Sequence, residues 1–99
     1  MSTSKSKPAL EIQLENDVAQ GIYVNLAVVN HTDTEVTLDL IYVQPQELRG
    51  TVRSRVIVSP RHAKRLLRAL QENLDRYEQT FGEIKIENTL IKQDVSPYH

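Results

Sequence analysis

The sequence predicts an α+β fold: a four-stranded antiparallel sheet followed by one long C-terminal helix. Three observations carry this. Four segments alternate apolar and polar residues with period two, the mark of half-buried strands. A later segment repeats its apolar residues every three or four positions, the mark of an amphipathic helix. The connections are short and polar, so the strands pair as antiparallel hairpins. Ninety-nine residues suffice for one such domain and not for two.

Residues 1–8 are small, polar and basic (Ser2, Ser4, Lys5, Ser6, Lys7, closed by Pro8) and read as a disordered N-terminal tail. The domain is expected over 9–91. Leu10, Ile12 and Leu14 alternate with Glu11, Gln13 and Glu15, giving the first strand. Residues 16–21 form a turn or short loop. In Ile22–Asn30 one face is Ile22, Val24, Leu26 and Val28, and the other is Tyr23, Asn25, Ala27 and Val29. Asn30-His31-Thr32-Asp33 supplies turn chemistry, because such side chains bond their own backbone. Glu35–Val43 then turns Val36, Leu38, Leu40 and Tyr42 inward, and Glu35, Thr37 and Asp39 outward. Pro45 and Gly50 mark a loop. Thr51–Val58 alternates again, with Val52, Ser54, Val56 and Val58 on one face and Thr51, Arg53, Arg55 and Ile57 on the other.

The helix has the best-defined start. Ser59 suits the N-cap, and Pro60 suits the first helical position, where its missing N–H costs nothing. Ala63, Leu66, Leu67, Leu70, Leu74, Tyr77 and Phe81 make one apolar stripe, and Gly82 ends it. Residues 83–87, around Ile84 and Ile86, make either a short fifth strand or an arm. Residues 92–99 read as a loose C-terminal tail.

A helix with one stripe covers one sheet face. The other face is expected to carry Tyr23, Ala27, Val29, Ile41 and Val43, too apolar for solvent. A second copy covering it makes the protein a homo-oligomer, with Tyr23, Val29, Ile41 and Val43 as the interface.

The stretches GIYVNLAVVNHT, IYVQP and VRSRVIVSPRHAKRLLRALQENLDRYEQTFGEI resemble a family of small bacterial and archaeal proteins catalogued as a domain of unknown function. The resemblance runs from about Ile12 to Ile84 and implies neither an activity nor catalytic residues. In layout alone, strands followed by one helix are also similar to two oligomers: helix-swapped binders of single-stranded nucleic acid and the bacterial export chaperone. A shared layout does not fix a function.

The residues point away from catalysis and cofactors. Cysteine is absent, which removes disulfides, thiolate metal sites and cysteine nucleophiles. His31 sits in a turn, His62 near the helix start and His99 at the end, with no metal spacing on one element. No serine lies in a nucleophile elbow, and three glycines make no phosphate-cradling loop. No run approaches the ~18 apolar residues of a membrane span, and the N-terminus has no apolar signal core, so the expected setting is the cytoplasm.

Charge carries the functional clue. The net charge is −1. Residues 1–48 carry two basic against seven acidic side chains, and 69–99 carry three against six. Between them residues 49–68 hold Arg49, Arg53, Arg55, Arg61, Lys64, Arg65 and Arg68 and no acidic residue. In the helix this runs against the dipole: cations crowd the positive end, while Asp75 and Glu78 lie toward the negative one. Each misplaced charge costs about 0.3–1 kcal/mol at low salt. An anion, or acids from elsewhere, would offset that cost.

The expectation is a non-enzymatic, homo-oligomeric binding or assembly module. Its basic recognition surface would be Arg53, Arg55, Arg61, Lys64, Arg65 and Arg68, and its partner a protein, an anion or another copy. Nucleic-acid binding is the alternative, with Tyr23 as a stacking platform. A chaperone for unfolded chains comes third, because it needs an apolar groove left open after assembly.

Overall fold

A computed structural model describes residues 9–87. Three strands form one antiparallel sheet in the order β1-β2-β3: β1 Leu26–His31, β2 Val36–Gln44 and β3 Arg49–Val58. A one-turn helix, α1 (Asn16–Ala19), precedes them, and α2 (Pro60–Phe81) follows. The fold is α+β with a C-terminal helix, as the patterning predicts, but the described residues hold three strands and not four. The expected tails at 1–8 and 92–99 lie outside the described residues, as does the end of the 9–91 domain.

The missing strand is Leu10–Leu14. Its alternation is real, yet no ladder reaches it, and Leu10, Ile12 and Leu14 remain 67–86% exposed. Period two marks a segment suited to a sheet; pairing makes it a strand. The segment at 83–87 likewise holds no strand. The next run starts late, at Leu26, because Asn25 ends the ladder with its side chain. Its amide nitrogen donates to the Val43 carbonyl at 3.1 Å, and its Oδ1 accepts the Val43 N–H at 2.8 Å.

The β1–β2 turn falls two residues later than expected: Asn30 and His31 belong to β1, and Thr32 opens the turn. Thr32 Oγ1 accepts the N–H groups of Thr34 and Glu35, and the Thr32 N–H donates to the Glu35 carbonyl. The β2–β3 turn spans residues 45–48 and holds Leu48 in the left-handed region at φ 52°.

Register decides the faces. Leu26 lies opposite Ile41, Val28 opposite Asp39, Ile41 opposite Val52 and Val43 opposite Gly50. These residues share one face, whose core is Val28, Ile41 and Val43 with Leu26 packed against it. Gly50 serves this core by having no side chain, since a Cβ there would stand 3.2 Å from Ile41 Cγ2. The opposite face carries Ala27, Val29, Val36, Leu38, Leu40 and Tyr42. A bulge against Leu40/Ile41 adds one residue to β3, so Leu40 pairs with Ser54 while Ile41 pairs with Val52. The bulge also splits the expected valine face of β3: Val52 lies with Ile41, whereas Val56 and Val58 lie with Leu38 and Val36.

α2 begins and ends as its sequence dictates. Ser59 Oγ accepts the His62 N–H at 3.1 Å, and Pro60 opens the first turn. Gly82, at φ 100°, closes the helix by donating its N–H to the Glu78 carbonyl. The expectation that α2 covers the sheet fails. Among the described residues the extensively packed element pairs are β1 with β2 and β2 with β3, and no residue of α2 is buried. The radius of gyration, 18.0 Å, is well above the roughly 13 Å of a compact domain this long. Among the described residues no helix is long and apolar enough to cross a membrane.

Candidate functional site

The residues expected to form one basic surface fall into three places. Arg55 belongs to the sheet. Its Nε and Nη2 meet Asp39 Oδ1 and Oδ2 at 2.6 and 2.9 Å, a two-bond fork on a carboxylate only 1% exposed. Alternation alone assigns Asp39 to a solvated face, but the register puts it on the core face opposite Arg55. A buried carboxylate needs a charge partner, and the guanidinium fork matches its geometry.

Arg53 goes elsewhere. The two arginines are two residues apart in a strand and should share a face. The bulge between Val52 and Ser54 breaks that alternation. Arg53 lines a shallow depression of about 390 Å³ with Tyr42, Gln44, Arg49 and Thr51, on the sheet face away from Asp39. Tyr23 stands beside it, its ring edge-on to Tyr42 with centroids 6.2 Å apart.

The other four residues do come together. Arg61, Lys64, Arg65 and Arg68 line a shallow groove of about 500 Å³ with Pro60. Spacings of three and four on one helix produce this clustering. His62 contributes its backbone N–H to the cap, and its side chain is exposed.

The expected interface residues divide as well. Val29 lies opposite Leu38, and Tyr23 leans on Tyr42, both on the open face. Ile41 and Val43 lie on the core face and are buried within the chain. Pooling odd-numbered residues from different strands placed together side chains that the register separates.

Besides Leu10, Ile12 and Leu14, two apolar surfaces lack full cover. One is the sheet face of Val29, Val36, Leu38, Leu40, Val56 and Val58, where Val29 and Val56 are exposed and the other four half-buried. The other is the α2 stripe, where exposure runs from 39% at Leu74 to 73% at Phe81.

No curated protein and no solved structure matches the chain. The family model described as "Protein of unknown function (DUF3467)" matches residues 1–86. That is most of the chain, which therefore belongs to this family.

Proposed function

We propose that the chain is a cytoplasmic, non-enzymatic, homo-oligomeric assembly module that presents a basic recognition surface to an acidic protein partner. The α2 stripe supports this reading most. Six large apolar side chains lie along 22 residues of well-capped helix, and none is buried. At about 25 cal/mol per Å² that area is worth several kcal/mol if covered. Exposed patches of this kind mark interaction sites.

The recognition surface is the helix cluster of Arg61, Lys64, Arg65 and Arg68. Arg55 drops out because it holds Asp39. The test has two parts. Light scattering should report a mass above that of the single chain. Polyglutamate, as an acidic probe, should bind the assembled protein at low salt and be released as salt rises. Arg61→Glu with Arg65→Glu should abolish that binding and leave the fold as stable or more so, because acids suit a helix N-terminus. A monomer defeats the assembly half; an assembled protein that ignores polyglutamate defeats the recognition half.

Nucleic-acid binding is favoured by a different observation. Arg49 and Arg53 stand beside Tyr42 and Tyr23 on an open sheet face, combining charge with stacking surface. Binding of a single-stranded oligonucleotide that weakens with salt and is lost in Arg53→Glu with Tyr42→Ala would favour it. No binding at low salt would end it.

A further inference from the structure

The α2 stripe carries more information than its apolarity. Ala63, Leu67, Leu70, Leu74, Tyr77 and Phe81 follow one another at spacings of 4, 3, 4, 3 and 4, the seam of a coiled coil. Lys64, Gln71 and Glu78 flank this seam on one side, and Leu66, Asn73 and Thr80 flank it on the other. A helix lying across a sheet buries a broader stripe, and on one border that would bury Lys64 and Glu78. The seam suits a second helix instead.

Resting on the assembly reading above, we propose that α2 pairs antiparallel with α2 of a second copy, through a two-fold axis near residue 72. A two-fold interface must complement itself, so that residue i meets j and j meets i. Antiparallel α2 does so at each level. Leu70 meets the partner's Leu74. Leu67 meets the partner's Tyr77. Ala63, the smallest seam residue, meets the partner's Phe81, whose ring is held 4.9 Å from that of Tyr77 within its own chain. The flanking residues obey the same symmetry: Lys64 meets the partner's Glu78, and Gln71 meets its own copy. Glu78 is held for this contact, since its Oε2 accepts the Ile84 N–H at 2.9 Å.

This arrangement answers the reversed helix charge. The cations at the start of α2 lie toward the acidic end of the partner helix. Parallel pairing would instead bring the basic starts of both helices to the same end of the dimer. Arg61, Arg65 and Arg68 point away from the antiparallel seam, so the dimer shows two basic patches, one at each end.

The absence of cysteine makes the test clean. Single variants Gln71→Cys, Lys64→Cys and Glu78→Cys are treated with a short bis-maleimide. Gln71→Cys should cross-link to itself. Lys64→Cys should not, because at ~1.5 Å per residue its own copy lies about 20 Å along the axis. An equimolar mixture of Lys64→Cys and Glu78→Cys should give the mixed product. Lys64→Glu should raise the dimer dissociation constant roughly tenfold, and adding Glu78→Lys in the same chain should restore it to within ~3-fold. Self-linked Lys64→Cys would overturn the proposal. So would a dimer by light scattering in which Gln71→Cys does not link; in that case assembly would stand and only the pairing would fall. A monomer would remove both.

Discussion

The sheet and α2 account for most of the described residues, and they use apolar residues in opposite ways. In the sheet, Val28, Ile41 and Val43 close one face within the chain, and Asp39 is buried among them with the Arg55 fork on it. In α2 the apolar residues are as regular, and both ends are capped, yet nothing among the described residues buries them. Regular patterning therefore specifies an element without specifying what it packs against. Stability of the sheet should depend on contacts within one chain. Burial of the α2 stripe should depend on concentration, as any binding to the folded state does.

The largest expected effect breaks the sheet. Ile41→Ala should cost about 2–5 kcal/mol in denaturant titration, and raising the protein concentration should not rescue it. Arg55→Ala comes next, at roughly 3 kcal/mol, because it strips a fork from a nearly inaccessible carboxylate. Arg55→Lys should fall between, keeping the charge and losing the two-bond geometry. If Arg55→Ala were silent in the same titration, the pair would be a surface contact despite the burial of Asp39.

How far the sequence carries such expectations depends on whether a feature is local. The caps of α2 needed only neighbours in sequence, and Ser59, Pro60 and Gly82 do there what their chemistry implies. The Thr32 turn was legible for the same reason. The faces of the sheet were not. They depend on how the strands pair: one bulged residue moves Arg53 and Arg55 to opposite sides, and pairing opposite Val28 and Arg55 puts Asp39 on the core face with Ile41 and Val43. No residue in Thr51–Val58 announces that bulge, since neither Gly nor Pro stands there. The fourth strand failed for a related reason: Leu10, Ile12 and Leu14 have the pattern of a strand, and no described segment pairs with them. Of the recognition residues, the four on the helix were legible because helix spacing alone unites them.

The helix side of the comparison gives the smaller effects on a single chain. Leu70→Ala, at the middle of the stripe, should leave the sheet core intact and weaken self-association at least ~10-fold, read by sedimentation. Arg76→Ala lies off the stripe and should change fold stability by well under ~1 kcal/mol, with no change in association. Equal effects from these two variants would mean that the apolar face of α2 has been placed wrongly.

The central claim is that α2 is completed by another copy of the chain. Sedimentation equilibrium of the unmodified protein across a wide concentration range tests it most directly. The account predicts a monomer–dimer equilibrium, with twice the chain mass dominating at micromolar concentration and helical ellipticity retained. A single-chain mass throughout that range, with α2 still fully helical, would contradict it.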